Sequence, residues 1–293
     1  MGRPEVAMVS NDPAVRLAAV KAFEDEPGWA FSLHRETPDG TAVVVRGIDL
    51  GDASTDDICF DPDHPVDCVD AVRAALAQRC SGKVVAVVGA SGGAGCSTIA
   101  LHLAERLGRM NKVCLAEAGP EPFFRARFDI GDGSKTWGDA GETDEDLMLA
   151  SLPVRGGFRS LLAPEGGDRV PDEVVRRAAR LFDVVVVDVG RGAMSFGPRA
   201  ALLVVPPTRP GCAAAERRLR RTDVRWGVVI NRTGSGGSIT RRGVEALLER
   251  RVMAELPCTP LLRDVEDGFG LLTGPWTRWV RRMTRVAQGI ERA

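Results

Sequence analysis

The stretch VVAVVGASGGAGCSTIALHLAERL, residues 84–107, decides the fold of the larger part of this 293-residue chain. It opens with four valines and one alanine, which is typical of a strand buried on both faces. A glycine-rich turn covers 89–96, and the run from Ser97 onward has the apolar spacing of a helix. Strand, glycine-rich turn and helix in this order are the setting of a loop that binds phosphate through backbone N–H groups at a helix N-terminus.

The turn has the glycines of a P-loop but lacks its lysine. Gly92, Gly93 and Gly95 allow successive N–H groups to face an anion. A P-loop then carries a lysine for the β/γ-phosphates and a Ser or Thr for Mg²⁺. Here Cys96 takes the lysine position and Ser97 the hydroxyl position. The predicted phosphate-binding residues are consecutive: Ser91, Gly92, Gly93, Ala94, Gly95, Cys96, Ser97 and Thr98.

The register of this loop resembles the deviant Walker-A loop of the ParA/MinD ATPases, KGGxGK[ST]. In that comparison Ser91 replaces the signature lysine that reaches across the dimer, and Cys96 replaces the ordinary Walker lysine. The resemblance implies a homodimer with ATP or ADP and Mg²⁺ at its loop. Because both lysines are missing, we expect weak or absent nucleotide binding and little of the charge stabilisation that phosphoryl transfer needs.

The resemblance extends to five further positions. The strand VVVVDV contains Asp188, which the family pattern places beside Mg²⁺ together with the loop hydroxyl. The family's two aspartates after the second strand correspond to Glu117 and Gly119, so the aspartate that orients the attacking water is absent. Asn231 and Arg232 match the family's adenine-contacting NR pair.

Several of these positions also have a structural interpretation without a ligand. Asp188 can cap a neighbouring loop, Asn231 can be a turn residue, and the longer Glu117 is expected to be solvated or salt-bridged. Cys96 can be a reactive thiol whose pKa is lowered at a helix N-terminus, or a neutral relic, and we favour the relic.

The chain from residue 80 to 293 is predicted to form one P-loop domain. Apolar runs alternate with helical segments there, which favours a parallel β-sheet flanked by helices in an α/β fold. The predicted strands cover 83–89, 112–117, 182–190, 201–206, 226–231 and 252–257. The polar stretch 131–146 is expected to be a surface loop.

Residues 1–79 are predicted to form a small flavodoxin-like domain, with strands at 5–10 and 41–47 and helices at 12–25 and 66–79.

This block resembles a response-regulator receiver without its phosphoacceptor. The first strand is followed by Ser10, Asn11 and Asp12, and the second predicted strand ends near Arg46 rather than an aspartate. We interpret it as a pseudo-receiver that docks or dimerises, and a merely similar α/β extension stays open.

A receiver-like block before a lysine-free loop is most similar to the CpaE/TadZ-like branch, and within it to the actinobacterial septum-site-determining (Ssd-like) proteins. The stretches 151–164 and 176–192 fit that pattern too. The resemblance implies a positioning or scaffold protein that works with a Tad-type pilus or secretion apparatus or with the division machinery. Its alternatives are an active ATPase that uses a substitute cation such as Arg191 or Arg232, and a DNA-associated partition protein. The scattered arginine clusters do not favour DNA.

Composition bears on whether the chain binds nucleic acid, membrane or zinc and whether it is secreted. A net charge of −1 gives no overall attraction to nucleic acid or membrane, and no apolar run reaches the roughly 18 residues that span a bilayer. The seven cysteines form no CxxC pair, and with three histidines no zinc spacing is present. The N-terminus has no signal-peptide core, so a cytoplasmic location is expected.

The segment 276–290 predicts an amphipathic helix with two alternative uses. Its arginine-rich face would allow peripheral contact with anionic lipid, whereas its apolar face could pack on the domain. We favour packing. The apolar positions recur at helical spacing: Trp276, Trp279, Val280, Met283, Ala287 and Ile290.

Overall fold

The structure is a computed structural model, and the chain in it divides into two compact units, 1–81 and 82–293. The predicted junction residues Cys80 and Ser81 lie outside the part that the structure describes. The described residues are 5–23, 29–38, 43–51, 58–79, 82–119, 123–131, 133–154, 156–166, 169–220, 224–234, 239–267, 270–274 and 277–292.

The first unit contains a four-stranded parallel sheet in the order β2-β1-β3-β4, which is the beginning of the flavodoxin-like strand order. Val6, Met8 and Val45 from its strands and Phe23 from its first helix are buried in one core. Its elements are β1 (Glu5–Val9), α1 (Pro13–Phe23), β2 (Ala30–His34), β3 (Val43–Gly47), a 3₁₀ turn (Ile48–Leu50), β4 (Ile58–Phe60) and α2 (Pro65–Arg79).

The sequence prediction missed β2 and β4, so the strand predicted at 41–47 is the third of the unit and not the second. Both missed strands lie at the edges of the sheet. β2 is partly exposed along its length and mixes Ser32 and His34 with its apolar residues, so it lacks the near-continuous apolar run of a strand covered on both faces. β4 is in addition only three residues long.

Asp49 closes the end of β1. Its carboxylate accepts hydrogen bonds from the Ser10 hydroxyl (2.7 Å) and from the backbone N–H groups of Asn11 (2.9 Å) and Asp12 (3.2 Å). Burial acts to raise the pKa of Asp49, but these hydrogen bonds together hold it below its ordinary value. The residues that follow β1 are therefore engaged with a carboxylate from the turn after β3, a contact that the sequence did not indicate.

The second unit is built on an eight-stranded sheet. Its elements are β5 (Lys83–Gly89), α3 (Cys96–Leu107), β6 (Val113–Glu117), α4 (Phe124–Arg127), a 3₁₀ turn (Trp137–Asp139), α5 (Asp144–Ala150), β7 (Leu152–Val154), β8 (Phe158–Leu161), α6 (Asp172–Leu181), β9 (Val184–Gly190), β10 (Ala200–Val205), α7 (Arg209–Leu219), β11 (Trp226–Thr233), α8 (Arg241–Leu248), β12 (Val252–Pro257), α9 (Pro260–Asp267) and α10 (Arg278–Glu291). All six strands predicted for this part of the chain are present.

The strand order β12-β11-β10-β5-β9-β6-β8-β7 places the glycine-rich turn at the point where the chain changes direction across the sheet. From β5 the chain continues to β6 on one side, whereas β10 lies on the other side. Among the strands that the structure describes in this sheet, β7 alone is antiparallel to its neighbour. In open parallel sheets, the crevice for a ligand lies beyond the carboxyl ends of the strands at such a switch point.

Helices cover both faces of this sheet, as the near-continuous apolar strands require. Residues of α6, α7 and α8 pack on one face, and α3 and α10 pack on the other. The α/β fold predicted from the sequence, a P-loop-type parallel sheet flanked by helices, is confirmed.

The apolar face of α10 is buried against α3 and β12. Lys83 holds the end of this helix, since its Nζ donates to the carbonyl groups of Ile290 (2.7 Å) and Glu291 (3.2 Å). The favoured alternative, packing on the domain, is therefore the arrangement in the structure; Trp276 lies outside the described part. Within the described residues, no helix is long and apolar enough to cross a membrane. The buried positions are Trp279, Val280, Met283, Val286, Ala287 and Ile290.

The expectation of a surface loop over 131–146 is wrong at two places. Trp137 is buried, and its indole N–H donates to the Glu117 carbonyl at 3.0 Å. A helix begins at Asp144, where Thr143 and Asp146 form a capping box. Thr-x-x-Asp is a local signal that the polar composition of the stretch concealed.

Candidate functional site

The loop after β5 has the backbone geometry of a phosphate-binding turn. Gly93 (φ 67°) and Gly95 (φ 90°) are left-handed, a conformation that favours glycine. A Cβ atom on Gly95 would lie 2.4 Å from Nδ2 of Asn231, which itself donates to the Ala94 carbonyl at 2.8 Å. Asn231 therefore holds the loop from the β11 side, and only glycine fits between them.

Ser97 and Asp188, the two predicted metal residues, lie in contact at the end of β9. The Ser97 hydroxyl donates to the Asp188 carboxylate, and the N–H of Gly190 donates to the same carboxylate at 3.2 Å. Burial raises the pKa of Asp188 to about 6, although both hydrogen bonds oppose the rise.

A hydroxyl and a carboxylate beside a phosphate loop are oxygen ligands of the kind that Mg²⁺ takes. Among the described residues, no group of three or more His, Cys, Asp or Glu side chains could hold a metal ion. A cation here would therefore depend on Ser97, Asp188, water and phosphate oxygens, which is how Mg²⁺ binds in nucleotide sites. The residues present fit Mg²⁺ with a nucleotide phosphate.

Cys96 points back toward the sheet. A Cβ atom on Gly89 would lie 2.7 Å from its sulfur atom. Burial raises the pKa of the Cys96 thiol to about 12, nearby Asp188 adds to the rise, and Arg218 opposes it. The alternative of a reactive thiol with a lowered pKa is thus wrong, because desolvation of the thiolate outweighs the stabilisation at the helix N-terminus.

Glu117 is buried, and the expectation of a solvated or salt-bridged carboxylate is wrong. It is 2% exposed and lies directly opposite Asp188 in the β6–β9 ladder. Its two oxygens accept backbone N–H groups from Phe123, Phe124 and Ala163, the last two at 3.0 Å. Burial raises its pKa against these hydrogen bonds. The carboxylate joins the start of α4 and the chain after β8 to the end of β6, a long-range role that local sequence does not reveal.

A cavity of about 890 Å³ joins these groups. All eight predicted loop residues, 91–98, line it, together with Asp188, Gly119 and Arg232. Asn231 does not line it, since its amide is hydrogen-bonded to the loop and to the Arg232 N–H (2.9 Å). Its proposed adenine contact stays a prediction.

The positive charges of the cavity come from arginines. Arg169, Arg191, Arg218 and Arg232 line it, and of these only Arg191 and Arg232 were expected from the sequence as substitute cations. Arg218 belongs to a cluster, 215–221, whose arginines look like a solvated helix face. Helical spacing from the buried Cys212 and Ala215 leads to position 218, so periodicity was the signal that could have found it.

Comparison with known proteins places this geometry in a fold group. No protein-family model matches the chain, and no curated protein matches it. Among solved structures, it is similar to the cell division ATPase MinD of Pyrococcus furiosus, with 22% identity, a TM-score of 0.64, and coverage of 72% of this chain and 99% of that one. It is also similar to a ParA family ATPase from Chlorobium tepidum, with 16% identity, a TM-score of 0.62, and coverage of 71% of this chain and 99% of that one. A third similar structure is the septum site-determining protein MinD of Pyrococcus horikoshii in complex with Mg-ADP, with 16% identity, a TM-score of 0.60, and coverage of 72% of this chain and 96% of that one. At these identities the similarity shows the fold, which is that of the MinD/ParA P-loop ATPases.

Proposed function

We propose that this chain is a MinD/ParA-like positioning or scaffold protein that works by dimerisation and not by rapid ATP hydrolysis. One observation carries the proposal. The phosphate loop and the Ser97–Asp188 pair are assembled, while a buried, neutral thiol, that of Cys96, takes the position of the P-loop lysine.

The backbone of residues 92–97 would hold the phosphates, and Ser97 and Asp188 would lie beside Mg²⁺. When bound, ATP with Mg²⁺ supplies an anhydride bond whose cleavage requires stabilisation of developing negative charge. Apart from its two chain neighbours, no described residue has an atom within 4 Å of the Cβ position of Gly93, so the loop is open to a ligand there.

Two features argue for slow or absent turnover. Cys96 supplies no ammonium group, and Gly119 has no side chain with which to orient a water molecule. Removal of a single group that stabilises the charge of the transition state typically lowers the rate roughly 10²- to 10³-fold. A switch that depends on binding and dimerisation tolerates this loss, whereas one that depends on turnover does not.

The finer assignments are also proposals. The lysine-free loop and the receiver-like strand order of the first unit support the CpaE/TadZ-like branch and its Ssd-like members. The partners would be a second copy of the chain and proteins of a Tad-type pilus, secretion or division apparatus, in the cytoplasm or at the membrane periphery. The first unit would serve as a pseudo-receiver docking module.

The test is calorimetric titration with Mg·ATP and Mg·ADP, combined with measurement of phosphate release. The proposal expects weak binding or none, with negligible release. Phosphate release at tens of turnovers per minute that disappears in Asp188→Ala would instead support an active ATPase. The four arginines of the cavity are the observation that favours this second candidate.

A further inference from the structure

The chain turns sharply after β9 and carries Arg191 over the phosphate loop. Gly190 is left-handed (φ 56°), and the Gly192 N–H donates to the Val189 carbonyl at 2.9 Å, which closes the turn. Asp188, three residues before Arg191, is hydrogen-bonded to the loop residue Ser97. The position of Arg191 is therefore determined by the same strand end that holds the carboxylate.

The Arg191 side chain lies on the loop itself. A Cβ atom on Gly92 would be 3.6 Å from Cδ, Nε and Cζ of Arg191. Gly92 directly follows Ser91, the position at which a lysine is missing. Arg191 is exposed and lines the cavity, so its guanidinium is accessible to a ligand there.

Arg218 holds the turn in place from α7. Its Nη1 donates to the Gly192 carbonyl at 3.0 Å, and its Nη2 donates to the Arg191 carbonyl. Its charge also acts on the Cys96 thiol. Because both donors go to backbone carbonyls on the turn, Arg218 limits the positions that the Arg191 backbone can take.

We propose that Arg191 is the phosphate-contacting cation of this loop, positioned by Arg218, and that it replaces the missing lysines in binding a nucleoside di- or triphosphate. This rests on the nucleotide site proposed above and goes beyond it by naming the residue that recognises the anion. A planar guanidinium with several N–H donors matches phosphate oxygens in a bidentate geometry that lysine does not provide.

The test is Mg·ATP affinity, measured by calorimetry, for wild type, Arg191→Gln and Arg191→Lys. Loss of a hydrogen-bonded charge contact should weaken binding roughly 10- to 100-fold in Arg191→Gln. The affinity of Arg191→Lys should lie between those of wild type and Arg191→Gln, because lysine keeps the charge but lacks the bidentate donors of the guanidinium. Arg220→Gln is the matched control, since it removes an equal charge from the end of α7 where Arg220 is paired with Glu216. Its affinity should equal that of wild type.

Two further comparisons localise the effect. AMP, which lacks the β- and γ-phosphates, should bind equally to wild type and Arg191→Gln, whereas inorganic tripolyphosphate should show the same loss as Mg·ATP. Arg169→Gln and Arg232→Gln test the other arginines of the cavity. A larger loss in either of them than in Arg191→Gln would overturn the assignment.

A double-mutant cycle tests the positioning role of Arg218. Arg218→Gln alone should weaken Mg·ATP binding, but it should have little further effect in the Arg191→Gln background. Additive losses would mean that Arg218 acts independently. Thermal unfolding of each variant checks that the second unit remains folded.

The outcomes separate this inference from the proposed function. Equal Mg·ATP affinity in wild type and Arg191→Gln overturns the inference, and so does absence of binding in wild type, although the scaffold proposal would survive that result. Rapid phosphate release by wild type overturns the slow-turnover proposal but leaves the role of Arg191 supported if Arg191→Gln still binds more weakly.

Discussion

Acidification from pH 7 to pH 5 is expected to destabilise the second unit through one buried imidazole, that of His102. The side chain is fully buried in α3 and contacts the Trp279 ring edge-on, with 4.8 Å between the ring centroids. Its Nε2 accepts the N–H of Leu272 at 3.1 Å, so Nδ1 carries the proton and donates to the Thr98 carbonyl at 2.8 Å. Protonation would keep the Nδ1 hydrogen bond to Thr98 but lose the one from Leu272, because Nε2 would become a donor facing a donor.

Burial and, to a lesser extent, the nearby charges of Arg127 and Arg106 lower the pKa of His102 from an ordinary value of 6.5 to about 4, although the hydrogen bond to Thr98 opposes the fall. In the folded chain the imidazole is therefore neutral at pH 5, whereas in the unfolded chain it is protonated. The unfolded state binds more protons between these values, so stability falls as the pH decreases from about 6.5 to 4. From the two pKa values, the contribution of His102 to the free energy of unfolding decreases by about 2 kcal/mol between pH 7 and pH 5.

Asp188 acts in the opposite direction. Its folded pKa of about 6 lies above the ordinary 3.8, so the folded chain takes up a proton over this range and gains stability. The gain at pH 5 is about 1 kcal/mol. Burial also raises the pKa of Glu117, which therefore acts in the same direction as Asp188. The wild-type profile thus contains opposed contributions, and only a comparison of variants isolates that of His102.

The assay is urea denaturation of wild type and His102→Gln at pH 7 and pH 5, followed by tryptophan fluorescence. His102→Gln should have a lower free energy of unfolding than wild type at pH 7. This difference in free energy should be about 2 kcal/mol smaller at pH 5, because only the wild type loses the contribution of the imidazole. Ile99→Val, on the same helix, is the control, since it costs about 1 kcal/mol without removing a titrating group. Its difference from wild type should be equal at both pH values. If the difference for His102→Gln were equally constant, the reasoning would be refuted.

Three other substitutions, two of them with a matched control, test the structure. Asp188→Asn should raise the free energy of unfolding at pH 7 by up to about 3 kcal/mol, because a buried charge is removed, and the gain should vanish near pH 4 in the same urea titrations. Any stabilisation of the protein by Mg²⁺ with nucleotide should be lost in this variant. Gly95→Ala should cost about 2 to 4 kcal/mol, because the new Cβ meets the side-chain amide that packs on the loop. Gly93→Ala, which is also left-handed but has open space, should cost only about 1 to 2 kcal/mol, and thermal unfolding compares the two. Trp279→Ala should cost about 3 to 5 kcal/mol, whereas the exposed Arg281→Ala should change stability by less than about 0.5 kcal/mol in urea.

Contact of α10 with lipid is better tested by point variants than by removal of the helix. A chain that ends before this helix would expose the core residues of α3 that it covers, so altered lipid binding by such a chain would report unfolding. Point variants on the exposed arginine face leave the core intact and test lipid contact directly.

Local patterns in the sequence were sufficient to predict the central strands and the glycine-rich loop of the second unit. A strand between two covered faces must be apolar at nearly every position, so β5, β9 and β10 could be predicted from composition alone. The glycines at 93 and 95 are required by left-handed backbone angles, which act within a few residues. The edge strands β2 and β7 carry a weaker local signal, since β2 contains polar residues and β7 is three residues long with a proline, and both were missed.

The roles of Glu117, Cys96, Arg218 and the apolar face of α10 were decided by tertiary structure. Whether a carboxylate is solvated or buried, or a thiol neutral or reactive, depends on groups that arrive from distant parts of the chain. Glu117 accepts a hydrogen bond from Ala163, 46 residues away, and Lys83 holds the end of a helix 207 residues away. Sequence shows which side chains are present, but desolvation and hydrogen bonding depend on neighbours in space, and those neighbours exist only once the sheet and its helices have packed.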